Sequence, residues 1–310
     1  MKKQIKMKRQ LFLLLLLSFI LIITVKAQED DDNSPIKVDT VLLTMPLTVS
    51  DKSGRNVAGL QKDNFSIFQN GLLQDIEYFF NEEAPMNVAI LIDTSASTKD
   101  VLDKIQKAAR DFVKIFRPED RGIIVSFDYR TQLLSELTAD KKRLSKAIET
   151  TSVTDKTGSD MNEAIFQVVN NHFASFKGRK AIIVLTDGMV TKRSVTSQQV
   201  MDSLQKTDTL FYPIIFRTKF YNAAMARAVA QRSKPMSIEI LEILAQETTG
   251  KFYEKDAANL KEAFQSISEE LKKQYILGFY PRDTGTSSAD IRIEVDRKDL
   301  RVKPRKKWNF

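Results

Sequence analysis

Two short apolar runs, each ending abruptly at an aspartate, constrain this chain more than any other feature. The first is Val88-Ala89-Ile90-Leu91-Ile92, followed by Asp93-Thr94-Ser95-Ala96-Ser97. The second is Ala181-Ile182-Ile183-Val184-Leu185, followed by Thr186-Asp187-Gly188. Continuous β-branched runs of this length describe strands buried on both faces of a parallel sheet. Such a sheet presents its functional groups at the carboxyl ends of the strands. Asp93, Ser95 and Ser97 are therefore expected on one loop above the sheet. If the first run is strand one and the second is strand four, the two are neighbours, and Asp187 faces Asp93 across the switch-point crevice. Between them Thr157-Gly158-Ser159-Asp160 precedes an amphipathic stretch, and Ser159 can supply one more hydroxyl. Hard oxygen donors of this kind suit a small hard cation, Mg2+ first and Ca2+ or Mn2+ next.

The surrounding sequence alternates the two periodicities. Val101, Ile105, Ala108, Ala109, Phe112 and Ile115 follow helical spacing, and Pro118 stops that helix. Residues 122–127 read as a strand and 131–137 as an antiparallel edge strand. Helices are expected over 141–150, 159–173, 198–206, 238–247 and 260–273, with strands over 210–216 and 251–253. Ser159 doubles as a helix cap in this reading, and Gly250 fits a C-cap. Asp160 and Glu163 read as solvated or N-terminal helix charges. The alternation predicts an α/β domain over residues 85–274, a doubly wound and mostly parallel sheet with helices on both faces.

Residues 35–84 look all-β. Val41, Leu43, Met45, Leu47 and Val49 alternate with smaller or polar residues, and Pro46 argues for an edge strand. Phe65 and Ile67 continue a strand, Asn70-Gly71 signals a hairpin, and Ile76, Tyr78 and Phe80 form the expected return strand. So few strands bury too little surface to stand alone. Residues 275–280, the alternation of Ile291, Ile293 and Val295, and residues 302–308 supply partners. Residues 35–84 and 275–310 are expected to meet in one small β-sandwich.

At the amino terminus Lys2, Lys3, Lys6, Lys8 and Arg9 precede an apolar stretch at 11–25 and the box Val25-Lys26-Ala27. This reads as a cleaved signal peptide over 1–27, with an uncleaved anchor as runner-up. The chain is expected to be secreted or periplasmic, with envelope attachment if the segment stays. Residues 28–34 are an acidic, flexible leader. Charge must be read after this segment is removed. It carries six of the 48 basic residues and no acidic ones, which leaves 42 against 40, so the formal +8 is no argument for nucleic acid. With no cysteine and one histidine, His172, thiolate and multi-histidine metal sites are excluded.

Asp-x-Ser-x-Ser, a later hydroxyl before a helix and a strand-end Thr-Asp-Gly together resemble the metal-ion-dependent adhesion site of the von Willebrand factor type A domains. The resemblance implies that Ser95, Ser97 and Ser159 bind the metal directly, while Asp93 and Asp187 act mostly through water. Where the family usually has Thr, this chain has Ser159. After Thr-Asp-Gly the chain is basic, at Lys192 and Arg193, where the subset it most resembles often has an acidic residue. Val57-Ala58-Gly59-Leu60, Asp63-Asn64-Phe65 and the segment 275–281 are similar to the flanks of the bacterial von Willebrand-related proteins first catalogued in Acidobacteria. The implied function is a metal-dependent binding module in which Mg2+ bridges to an Asp or Glu of a partner protein.

Enzyme signatures are missing: there is no Gly-x-Gly-x-x-Gly after a strand, no Walker-type loop and no Gly-x-Ser-x-Gly elbow. The expectation is a non-enzymatic module. Its alternative is a structural interaction domain whose metal is absent or only steadies the fold. The stretch 217–235 holds Arg217, Lys219, Arg227, Arg232 and Lys234 and no acidic residue. It reads either as a solvated helical excursion or as a rim that meets an acidic partner.

Overall fold

The computed structural model describes residues 42–53, 55–81, 84–154, 158–176, 178–189, 194–230, 236–281 and 290–304. The expected signal segment and leader, and Lys192, Arg193, Arg232 and Lys234, lie outside them.

Strand β1 (Leu43–Asp51) opens the described chain. Next come β2 (Phe65–Gln69) and β3 (Leu72–Gln74), joined by a tight hairpin. Its two turn residues, Asn70 and Gly71, have φ of 51° and 81°, the left-handed pair that a type I′ turn demands. The hairpin returns through β3, not through the expected residues 76–80. Those residues instead yield β4 (Tyr78–Phe80), which joins a different sheet. A two-residue turn puts the return strand directly after it, so residues 76–80 lie too far along the chain to be its partner.

Strand β5 (Met86–Asp93) begins the central domain and is buried along its whole length. Helix α1 (Leu102–Lys114), strands β6 (Arg121–Phe127) and β7 (Thr131–Thr138), and helix α2 (Lys141–Glu149) follow. Helix α3 (Met161–Gln167) continues as a π-helical turn over Val168–Phe173. After it come β8 (Arg179–Thr186), α4 (Ser197–Lys206), β9 (Leu210–Phe216), α5 (Lys219–Ala230) and α6 (Met236–Glu247). The domain ends with β10 (Tyr253–Lys255) and α7 (Leu260–Lys272).

The six strands lie in the order β10-β9-β8-β5-β6-β7, parallel except for β7. In the domain's own count β5 is strand one and β8 strand four, and they pair from Met86↔Arg179 to Ile92↔Leu185. The period-2 alternation of β5 divides its side chains between two cores. Val88, Ile90 and Ile92 pack with α1, α2 and α7, whereas Ala89 and Leu91 pack with α3, α4 and α6. That division explains why the run is apolar without interruption.

Gly250 is not the left-handed C-cap. Thr249 takes the positive φ of 58°, and Gly250 is needed for space, since a Cβ there would lie 2.0 Å from the Phe211 carbonyl oxygen. The helix cap at α3 is likewise Asp160 and not Ser159. His172 lies in the π-helical turn with Nδ1 4.0 Å from the Glu136 carboxylate.

The last strands are β11 (Gln274–Phe279), β12 (Ile291–Val295) and β13 (Leu300–Pro304). Strands from the two ends of the described chain pair in two antiparallel sheets, β13-β1-β11-β4 and β12-β2-β3. Their facing side chains, among them Met45, Leu47, Phe65, Ile67, Tyr275, Leu277 and Ile293, form a third core. The sheet pairing and the shared core make the small sandwich. Pro46 lies on an interior strand, contrary to the edge expected of it. Among the described residues the β13 ladder runs only as far as Leu47, one residue short of Pro46.

Candidate metal centre

The carboxyl ends of β5 and β8 form the crevice. Asp93 ends β5, and a 3-10 turn over Ala96–Thr98 bends the chain back at once. Thr98 Oγ1 closes that turn by donating to the Ser95 carbonyl at 2.9 Å. The bend places Ser95 Oγ 3.1 Å from Ser97 Oγ, so the two alternate hydroxyls converge. Asp93, Ser95, Ser159 and Asp187 are buried, and Ser97 is half-exposed at the mouth.

Both carboxylates are held by short-range donors. Asp93 Oδ1 accepts from Ser95 N–H at 3.0 Å, and Oδ2 accepts from Thr186 Oγ1 at 2.6 Å. Asp187 Oδ1 accepts from Met189 N–H at 3.1 Å, and Oδ2 accepts from Thr218 Oγ1 at 3.0 Å. Thr186 also accepts from Gly188 N–H at 3.0 Å, so one hydroxyl spans from β8 to the β5 carboxylate. Burial, and then the nearby Asp187 charge, push the Asp93 carboxyl up to about 7. No ion pair to either aspartate is found among the described residues.

Ser159 sits on the adjoining loop, immediately before Asp160. That loop is docked by Asp160 N–H, which donates to the Asp128 carbonyl at 2.8 Å. Asp128 is tied in turn to the first loop, accepting from Thr94 Oγ1 at 3.4 Å. The structure therefore brings Asp93, Ser95, Ser97 and Asp187 to one crevice and fixes the Ser159 loop against its wall. Of the two readings of Asp160, the N-terminal helix charge holds and the solvated one does not, since the side chain caps α3 and is almost fully enclosed.

Among the described residues there is no cluster of three or more carboxylate, imidazole or thiol ligands. The crevice offers two carboxylates and a set of hydroxyls. That donor set is hard, and two buried carboxylates with no ion pair among the described residues are costly to keep ionised. The residues present thus fit a hard divalent cation. A cavity of about 980 Å3 lies elsewhere, at the amino end of β10, lined by Thr48, Phe252, Tyr253 and Glu270 among others. Its size does not make it the functional centre, because the buried carboxylate pair is at the opposite edge.

Sequence reasoning passed over Thr186, Thr218, Asp128 and Asp160 as parts of this centre. Thr186 was visible in the Thr-Asp-Gly triplet. The other three act through chain segments that only the fold brings together. The basic stretch is partly neutralised: Arg217 pairs with Glu254 at 3.1 Å and Asp256 at 3.6 Å, and Lys219 with Asp100 at 3.3 Å.

Fold and site together define a doubly wound α/β domain with an oxygen-lined crevice at its switch point. A model of the von Willebrand factor type A domain matches residues 87–268, and the chain belongs to that family. No curated protein matches the chain. Among solved structures, the chain is similar to conserved hypothetical protein BatB from Bacteroides thetaiotaomicron. That match has 19% identity and a TM-score of 0.48, and covers 61% of this chain and 98% of that one. The vWF domain of the type V pili tip protein Mfa5 from Porphyromonas gingivalis matches at 14% identity and TM-score 0.48, covering 60% and 94%. Proximal thread matrix protein 1 from the mussel byssus, solved with a zinc-occupied MIDAS motif, matches at 14% identity and TM-score 0.51. There the match covers 64% of this chain and 48% of that one. At its identity the byssus match is a likeness of fold.

Proposed function

We propose that this chain is a metal-ion-dependent protein-binding module, with Asp93, Ser95, Ser97, Ser159 and Asp187 holding Mg2+. The observation that carries the reading is the fully buried carboxylate pair beside converging hydroxyls, with no ion pair to either carboxylate among the described residues. A bound Mg2+ supplies a positive centre to which an Asp or Glu of a partner protein can bind. Ser95, Ser97 and Ser159 supply neutral oxygens, and with Asp93 and Asp187 acting mostly through water, as the resemblance implies, no carboxylate of this chain sits directly on the ion, which leaves it attractive to one from a partner. Thr186 and Thr218 hold the two carboxylates in place from behind. The family match and the zinc-occupied site of the byssus protein support the class of function. The N-terminal pattern supports export, to the periplasm or outside the cell, with residues 1–27 as the signal segment.

The test is calorimetric titration of Mg2+ into the wild-type chain and into Asp187→Ala, followed by pull-down of envelope and secreted proteins with and without chelator. Binding that is lost in Asp187→Ala, with capture lost in chelator, is the expected result. Mg2+ affinity unchanged in that variant would sink the site. Chelator-independent capture would favour a structural interaction domain instead.

A further inference from the structure

Asp160 does more than cap a helix. Its Oδ1 accepts from Glu163 N–H at 3.4 Å, which is the ordinary capping bond of α3. Its two oxygens also lie 3.3 and 3.2 Å from Ser194 N–H, on the segment that follows Asp187. Its own N–H reaches back to the Asp128 carbonyl, on the loop between β6 and β7. The side chain is 2% exposed. Asn162, two residues on, adds a parallel tie, with Nδ2 donating to the Val195 carbonyl at 2.9 Å. One residue thus joins three segments around the crevice, its carboxylate linking α3 to Ser194 and its backbone N–H reaching Asp128, and Thr94 extends the ring through Asp128 to the loop after β5.

A cap needs only a short side chain that returns to its own helix. Crossing to an amide 34 residues away needs the extra reach of an aspartate-length side chain with an acceptor oxygen at its end. What this crossing fixes is the spacing between the Ser159 loop and the chain at Ser194, seven residues after Asp187. Spacing matters unequally to different ions. Mg2+ demands near-octahedral geometry at about 2.0–2.1 Å, whereas Ca2+ accepts longer, irregular shells.

We propose that Asp160 is the positioning residue that sets the width of the metal crevice, by clamping the Ser159 loop to the segment after Asp187, and so makes it selective for Mg2+ over Ca2+. The inference rests on the metal-binding reading above. Its test is titration of Mg2+ and of Ca2+ into the full chain as wild type, Asp160→Ser and Asp160→Asn. Serine caps a helix as well as aspartate but is too short to span to Ser194, whereas asparagine keeps an acceptor oxygen at the same reach. Asp160→Ser should lose about tenfold or more in Mg2+ affinity, as partners behind metal ligands typically do, and less in Ca2+ affinity. Its thermal midpoint should stay near wild type, and its Ser194 amide should exchange faster. Asp160→Asn should retain the wild-type preference. Wild-type Mg2+ affinity in Asp160→Ser, or equal losses for the two ions, would overturn the clamp while leaving the metal site standing. A wild-type chain that takes up neither ion overturns the metal reading and this inference with it.

Discussion

Replacing Asp93 by Asn should make the metal-free protein more stable above neutral pH. The folded chain raises this carboxyl from 3.8 to about 7, through burial first and the Asp187 charge second. A carboxyl raised on folding binds its proton more tightly in the native state. Its contribution to stability is therefore full below about pH 4 and is lost as the pH climbs through about 7. A gap of about three pH units at 1.36 kcal/mol each gives at most about 4 kcal/mol lost across that window. Asparagine keeps the shape, stays neutral and does not titrate. In chelator at pH 8, Asp93→Asn should melt higher than wild type by up to roughly 10 °C for a domain of this size, and the gap should close toward pH 4. Saturating Mg2+ should reverse the order, since only the wild type gains from the ion. The assay is thermal unfolding by circular dichroism from pH 4 to 8, with chelator and with Mg2+. Parallel pH profiles for the two proteins in chelator would refute the argument, because the strain would then not reside at Asp93.

Three further outcomes follow from the geometry. Ser159→Thr restores the family's usual residue and should preserve or tighten partner binding, whereas Ser159→Ala should weaken metal and partner together. Surface plasmon resonance across Mg2+ concentrations reads both, and equal affinity for wild type and Ser159→Ala at every level would show that the ion does not bridge the partner. Thr218→Val removes the hydroxyl that donates to Asp187 and accepts from Tyr221 N–H at 3.0 Å. It should cost about 1–2 kcal/mol in denaturant unfolding and lower Mg2+ affinity, and a variant with wild-type values in both would show the link is idle. Deleting residues 282–310 removes β12 and β13, the partners of β2 and of the second half of β1. Amides of Val49 and Ile67 should then exchange faster, and unchanged protection there would mean the sandwich holds without its last strands.

Strand-end aspartates were legible because their cause is local. A β-branched run that stops at a carboxylate can be seen within ten residues, and strand order follows from the few topologies a doubly wound sheet allows. The hairpin at Asn70-Gly71 was legible for the same reason. What the residues could not disclose were bonds set by tertiary approach. Asp160 looks like any acidic residue at a helix start, and only the docking of Ser194 against it turns a surface charge into an enclosed one. Gly250 looks like a helix terminator, and only the approach of the Phe211 carbonyl shows that it is there for room. Pro46 suggested an edge, yet β1 pairs on both sides, with β11 and with β13. Residues 76–80 showed strand pattern but not strand partner, since alternation says which face is apolar and nothing about which sheet receives it.

The position of β1 also imposes an order in time. It is synthesised before any strand it pairs with, and its first neighbour, β11, begins only at Gln274. The six-stranded sheet, by contrast, is complete once Lys255 has appeared. Long-range pairing of this kind is slow, because a loop of more than 200 residues must close before any ladder bond is gained. The central domain is therefore able to assemble around its crevice while β1 still waits, with Met45, Leu47 and Val49 uncovered. A newly made chain passes through a stage in which the site is built and the sandwich is not, and that stage is when an apolar strand edge most needs shielding from other chains.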